Sequence, residues 1–333
     1  MKTVRLGIIG CGSMSRHHAR VYTTQVKNAE IIALCDTSQA NLDQYQREIF
    51  GPLKKRPSQF GDYRDMLDKA KMDAVFIVTP HADHFQQVMD SLDAGLHVLV
   101  EKPMVTTSED ARRIIGRAAK KKRIVSVAFP GTFSAEFQYI RGLMDRGELG
   151  EIVAAEAFVG QAWKQGTKGT WRQEPKVAGG GMAFDTGAHL FNALLFLSNS
   201  PPVEVFAWMD NRGAPVDIVC TASIRYQNGA LGAAMVNGDS LVGWQEGMRV
   251  SFDKGEFQTG IHGGRLQQWG ADTKPFKYPP VPAVRPLQQW FIDCVLGNAE
   301  DPAPAIWGLR QALLYEALYE SARTGKTVIV EKE

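Results

Sequence analysis

An open, doubly wound parallel α/β sheet, followed by an α+β half built on a large, mostly antiparallel sheet, is the fold class this sequence predicts. Three observations carry it. Short apolar, β-rich runs alternate with helical stretches over the first 128 residues, which is the pattern of a parallel sheet with crossover helices. Beyond that point strands follow one another without intervening helices, and such strands pair antiparallel. A chain of 333 residues also exceeds the usual size of one hydrophobic core, so two domains are expected, at 1–127 and 128–333.

The first strand spans 4–9, with Val4, Leu6 and Ile8 alternating into Gly10-Cys11-Gly12-Ser13-Met14-Ser15. A helix opening at about Met14 leaves free backbone amides and a positive helix end, which together favour a pyrophosphate. Gly10 permits the tight bend and Gly12 a close backbone approach, whereas Ser15 replaces the third glycine of the usual dinucleotide fingerprint. The second strand, 30–35, ends at Asp36, 24 positions after Gly12 and near the offset of a ribose-binding carboxylate. A 2′-phosphate beside it would meet like charge, and Thr37-Ser38-Gln39 supplies no compensating arginine, so NAD is favoured over NADP. Asp36 is also placed to cap a helix over 39–49, a role compatible with the first.

Strands at 74–79, 97–100 and 124–128 complete the parallel sheet, with a helix closing on Lys120-Lys121-Lys122-Arg123 between the last two. The run 97–100 passes directly into Glu101-Lys102-Pro103. Ligands of open α/β sheets sit beyond the carboxyl ends of the strands, so Lys102 is either a group near the nicotinamide or a solvated surface lysine.

In the second half a helix at 135–145 precedes strands at 152–159, 203–209, 218–226, 230–236 and 248–252, with Asn228-Gly229 as a hairpin turn. Helices at 287–296 and 307–324 close the chain, and the proline-rich stretch 274–286 reads as a surface loop. Between the first two of these strands, Gly179-Gly180-Gly181-Met182-Ala183-Phe184-Asp185-Thr186-Gly187-Ala188-His189 leads into an apolar helix at 190–197. Asp185 and His189 stand four apart, which at helical spacing lets a carboxylate orient an imidazole. The alternative is a helix cap at Asp185 and a partly buried structural histidine.

Taken together, Gly10-Cys11-Gly12, Thr79-Pro80 with His84, Ala94-Gly95-Leu96-His97-Val98, Glu101-Lys102-Pro103, Gly147-Glu148-Leu149-Gly150 and the 179–189 segment resemble the glucose-fructose oxidoreductase, inositol dehydrogenase and MocA family. The resemblance runs through nearly the whole chain. It implies a Rossmann domain, and a second domain whose sheet has helices on one face and pairs with another subunit through the other, as a homodimer or homotetramer. It implies NAD or NADP held by Gly10, Gly12, Ser13, Met14, Asp36, Thr79, Pro80, His81, His84, Glu101 and Lys102. Lys102 would assist at a reacting sugar or polyol hydroxyl, and Asp185 and His189 would bind the substrate and move its proton. Phe133, Trp163, Lys164, Trp171 and Arg172 are further candidate substrate contacts, since aromatic faces stack on sugars and cations donate to hydroxyls; core packing or an interface is the other reading of the tryptophans.

Three positions depart from the family pattern. His81 stands where asparagine commonly follows the Thr-Pro pair, Asn192 stands in place of an aspartate, and Phe129-Pro130-Gly131-Thr132-Phe133 replaces a basic or asparagine-rich stretch. The last points to an altered substrate pocket. Two other activities use the same fold: glycoside cleavage through transient oxidation by bound NAD, and nicotinamide sensing without chemistry. The paired carboxylates of ordinary glycoside hydrolysis are not discernible. Intact Lys102, Asp185 and His189 argue against the sensor.

Composition sets outer bounds. A net charge of +2 with both signs scattered argues for no nucleic-acid partner, and no apolar stretch is long enough to span a membrane. The apolar run before Gly10 is too short for a secretory leader, so a cytoplasmic protein with reduced thiols is expected. The 4 cysteines and 7 histidines show no metal-ligand spacing, and His17 and His18 on the first helix read as structural.

Overall fold

The computed structural model describes residues 2–270 and 276–333, so residues 274 and 275 of the proline-rich stretch lie outside the described part. The described chain forms two compact units, one of residues 1–105, 109–128 and 285–308, the other of 106–108, 129–284 and 309–333.

The first unit contains β1 (Val4–Ile9), α1 (Ser13–Gln25), β2 (Ala29–Cys35), α2 (Gln39–Tyr45), β3 (Ser58–Phe60), α3 (Tyr63–Lys69), β4 (Ala74–Ile77), α4 (His81–Asp93), β5 (His97–Glu101), α5 (Ser108–Lys121) and β6 (Val125–Ala128). All six strands are parallel in the order β3-β2-β1-β4-β5-β6. Every residue of β4 and β6 is buried, as strands covered on both faces require. The continuous helix expected over 39–49 ends at Tyr45 and widens into a single π turn over Gln46–Phe50. Its cap is Ser38, whose hydroxyl accepts from the Asn41 amide, rather than Asp36. β3 and α3 were not expected, because Ser58-Gln59-Phe60 is a short, mostly polar edge strand without the apolar run that marks its neighbours.

Helices and strands of the remaining chain are α6 (Ala135–Asp145), β7 (Ile152–Gln161), the short α7 (Trp163–Gly166) and α8 (Pro175–Ala178), α9 (Gly187–Ser198), β8 (Pro202–Asp210), β9 (Val219–Tyr226), β10 (Leu231–Asn237), β11 (Trp244–Phe252), β12 (Gly255–Gly260), β13 (Gly263–Gly270), α10 (Leu287–Val295), α11 (Ala305–Thr324) and β14 (Val328–Ile329). Eight strands pair in the order β13-β12-β11-β7-β10-β9-β8-β14. The β7–β10 pairing is parallel and the others are antiparallel, so the sheet is mixed. Only neighbours joined by hairpins must run antiparallel, and β7 enters the sheet before the α9 crossover.

One face of this sheet is buried, with Ala155, Ala157, Val159, Val236 and Val250 beneath α9 and its neighbours. Its other face exposes Phe158, Trp208, Leu231 and Met235. α10 falls in the second half of the sequence yet groups with the first unit: Gln288 bonds His18 and the Val127 amide donates to the Ala303 carbonyl. A contiguous unit over 128–333 therefore does not describe the packing.

Candidate functional site

The turn after β1 is shaped for a close approach. Gly10 has φ +91°, and a Cβ there would lie 2.4 Å from the Val78 carbonyl oxygen, so no other residue fits the bend. A Cβ on Gly12 would meet nothing within 4 Å, and Ser13 and Met14 at the start of α1 are exposed. The helix therefore presents its amino end to open space. Ser15 is buried, its hydroxyl 3.2 Å from the Tyr45 hydroxyl, which explains why a small polar residue serves where glycine is usual.

Asp36 reaches back to the same turn. Its Oδ2 accepts from the Cys11 amide at 2.7 Å, and Oδ1 accepts from the Ser38 amide at 2.8 Å and more weakly from Asn41. The carboxylate is thus fixed beside the glycine turn while remaining partly exposed. These features fit a dinucleotide: a bare helix end for the pyrophosphate, with a positioned acceptor for the ribose hydroxyls.

At the end of β5, Glu101 is held on both oxygens. Oε1 lies 2.7 Å from His18 Nε2, and Oε2 accepts from the Lys102 amide at 3.1 Å. The Gln288 amide nitrogen donates to His18 Nδ1 at 2.6 Å, so Nε2 carries the imidazole proton and donates to Glu101. Burial pushes the Glu101 carboxyl up, but the bond from His18 and the charge of Lys102 outweigh it and the net direction is down. His18 thus orders the strand end that carries Lys102, a role its sequence position gave no means of assigning.

His84, expected to touch the cofactor, bonds two backbone carbonyls. It is fully buried, with Nδ1 2.9 Å from the Pro103 carbonyl and Nε2 2.9 Å from the Thr79 carbonyl. Its ring braces the Thr79-Pro80 loop against Pro103, and burial lowers its basicity. His81, the first residue of α4, is also buried, whereas Thr79 and Pro80 are partly exposed.

In the second unit, Asp185 lies two residues before α9 and is 6% exposed. Its Oδ2 accepts from Trp163 Nε1 at 2.9 Å and from Arg172 Nε at 3.0 Å, so two sequence-predicted residues converge on the carboxylate of a third. Trp163 is 2% exposed, which leaves it no face for stacking on a sugar; it holds Asp185 through its indole N–H. Phe133 is buried as well. Trp171 lies under the Arg172 guanidinium at 4.5 Å, and Lys164 pairs with Asp239 at 3.4 Å. Asn192 donates to the Thr132 hydroxyl at 2.9 Å, tying α9 to the apolar 129–133 stretch. Asn192 therefore does the work of a packing bond where a charged aspartate would be buried.

Two groupings had no sequence signal. Asp217 accepts from the Gly181 amide at 2.7 Å, the Ala183 amide at 2.8 Å and the Tyr319 hydroxyl, which fixes the glycine-rich segment. His262 packs against His189 with ring centroids 4.4 Å apart and bonds Glu246. Both groupings join residues far apart in the chain. Among the described residues no three His, Cys, Asp or Glu side chains cluster as a metal site, and all four cysteines are free and buried. None of the described helices is long and apolar enough to cross a membrane.

Comparison with known proteins agrees with this geometry. Residues 4–129 match the family described as an oxidoreductase family with an NAD-binding Rossmann fold, and residues 137–258 match the GFO/IDH/MocA C-terminal domain. D-glucoside 3-dehydrogenase of Escherichia coli is 30% identical over 202 residues, covering 60% of this chain and 56% of the relative. The dTDP-3,4-didehydro-2,6-dideoxy-alpha-D-glucose 3-reductase of Saccharopolyspora spinosa is 25% identical over 98% of this chain and 99% of its own. The WlbA dehydrogenase of Bordetella pertussis, solved with NADH and UDP-GlcNAcA, superposes with a TM-score of 0.85 at 23% identity over the full length of both chains, which shows a shared fold. With both halves matched in order, the chain belongs to the Gfo/Idh/MocA family of oxidoreductases, and its first domain is an NAD-binding Rossmann fold.

Proposed function

We propose that this protein is an NAD-dependent oxidoreductase that moves hydride between the carbinol carbon of a sugar or polyol and nicotinamide. The observation that carries the reading is Asp36, anchored by the Cys11 amide at the bare amino end of α1. A fixed carboxylate there accepts from both ribose hydroxyls and repels a 2′-phosphate, which favours NAD. The named relatives, a glucoside 3-dehydrogenase and a nucleotide-sugar 3-reductase, support a sugar ring as substrate.

When bound, the nicotinamide accepts or returns the hydride. Within this reading His189 takes the hydroxyl proton, and Lys102 stabilises the developing alkoxide with its ammonium, an effect worth about 3 kcal/mol where a single such donor is removed. Asp185 is a substrate-binding carboxylate, preset by Trp163 and Arg172. The exposed face of the second sheet, with Trp208, Leu231 and Met235, supports a homodimer through that face. Light scattering of the purified protein, with Trp208→Glu as control, checks this.

The activity is tested by mixing the protein with NAD and a panel of aldoses, inositols and aryl glycosides while following reduced-nicotinamide absorbance. A rise with a free sugar or polyol, lost in Lys102→Ala, supports the reading. Cleavage of an aryl glycoside without net NADH would replace it with the transient-redox mechanism.

A further inference from the structure

Three strands and a helix of the second unit bring a second imidazole to His189. His262 occupies the turn between β12 and β13, and its Nδ1 lies 2.7 Å from Glu246 Oε2 on β11. Its backbone amide also donates to Glu246 Oε1, at 3.4 Å, so one carboxylate grips the residue at both ring and main chain. A carboxylate only accepts, so His262 donates to it from Nδ1. Trp244 Nε1 donates to the same Glu246 Oε2 at 3.1 Å, and its indole centroid lies 5.6 Å from that of His262.

The arrangement is built into the backbone. A Cβ on Gly260 would lie 2.2 Å from Glu246 Oε1, so the carboxylate reaches this turn only because position 260 has no side chain. Ile261 is fully buried, and its carbonyl oxygen would be 2.5 Å from a Cβ on Gly131, which packs the turn against the 129–133 stretch. On the other side, the Thr186 hydroxyl at the start of α9 donates to Gln161 Oε1 at 3.0 Å, and Gln161 is the register partner of Trp244. The start of α9 and the Glu246 strand are therefore linked through the end of β7. His189 in the first turn of α9 meets the His262 ring with centroids 4.4 Å apart and planes inclined by 55°.

We infer that His262, oriented by Glu246, is a positioning residue for His189: the anchored ring limits the orientations that the His189 imidazole can take toward substrate. The inference rests on the reading of His189 as the group that takes the substrate proton. Glu246 acts only through His262, and the two must therefore behave as one unit. Neither residue carries a motif, since 246 and 262 are brought beside 189 by strand pairing alone.

The test uses the full-length protein with NAD and either methyl β-D-glucopyranoside or myo-inositol, and the variants His262→Ala, Glu246→Ala, Glu246→Gln and the double alanine. Each alanine variant is expected to lower kcat about 10- to 100-fold, the range that misplacement of a catalytic group produces, with NAD affinity unchanged. The double variant falls no further than His262→Ala, Glu246→Gln retains more kcat than Glu246→Ala, and added imidazole restores part of the His262→Ala rate. Multiplying effects in the double variant, or kcat within about twofold of wild type in His262→Ala, overturn the inference. Imidazole NMR gives a readout independent of turnover: the His189 ring signals move in both alanine variants, whereas unchanged signals overturn the positioning role even if neither sugar is oxidised. Full activity in His189→Ala, with those signals still moving, would instead remove the reading of His189 and leave the contact standing.

Discussion

His18 donates from Nε2 to Glu101 Oε1 across 2.7 Å, joining the helix behind the glycine turn to the strand end that carries Lys102. Gln288 completes the chain by donating to His18 Nδ1. The Glu101 side chain is 12% exposed and depends on its donors, so His18→Ala is expected to destabilise the protein by about 1–3 kcal/mol, the cost of taking a donor from a largely enclosed acceptor. Adding Glu101→Gln to that variant recovers part of the loss. Urea unfolding of the two single variants and the double measures both effects.

Asp36 makes the next prediction. Its carboxylate faces the turn with amide donors from Cys11 and Ser38, and no described arginine bonds it. Asp36→Ala is expected to raise the KM for NAD about 10- to 100-fold, matching the about 1.5–3 kcal/mol of a hydrogen bond to a charged group. The KM for NADP should rise less, since the like-charge repulsion also disappears. Steady-state kinetics with both cofactors checks this.

Trp163 holds Asp185 from a buried position, and the two halves of that role separate cleanly. Trp163→Phe keeps most of the buried ring and deletes the N–H. Stability should fall by about 1 kcal/mol, the net worth of one hydrogen bond, and substrate KM should rise because Asp185 keeps only Arg172 of this donor pair. Substrate kinetics and a thermal melt distinguish this from a simple core substitution, which would leave KM alone.

Asp301 gives a pH dependence of stability. Burial raises its carboxyl to about 6 from the ordinary 3.8, against opposing bonds from the Ala303 amide and the Ser126 hydroxyl. The folded protein therefore holds this proton more tightly than the unfolded chain. Its contribution is full below about pH 4 and lost as pH rises through about 6, a difference of ~3 kcal/mol from the two values. Asp301→Asn should flatten that part of the stability profile, as unfolding midpoints between pH 4 and pH 7 would show.

The parallel sheet was legible, its polar edge strand β3 apart, because inner strands such as β4 are continuous apolar runs, and the glycine turn because Gly10 answers a local backbone demand that only glycine meets. Lys102, Asp185 and His189 stand out in the sequence because they lie in motifs within short segments. What stayed hidden depends on long-range pairing. His262 reaches His189 through strand register, Asp217 reaches Gly181 across 36 residues, and Gln288 returns to His18 across 270. The bracing contacts of His84 stayed hidden for a related reason. Sequence spacing placed it near the loop, while burial and two carbonyl partners decided what its ring could touch.

Direct hydride transfer is the central claim, and deuterium tracing tests it most directly. Myo-inositol deuterated at carbon 2 and methyl glucoside deuterated at carbon 3 would each be incubated with the protein and NAD, and the nicotinamide recovered for mass spectrometry. The account predicts that one of them yields free NADH carrying one deuterium per molecule, and that Lys102→Ala abolishes the transfer. Absence of deuterium from the nicotinamide with both substrates, or its release to water while the sugar is consumed, would contradict it.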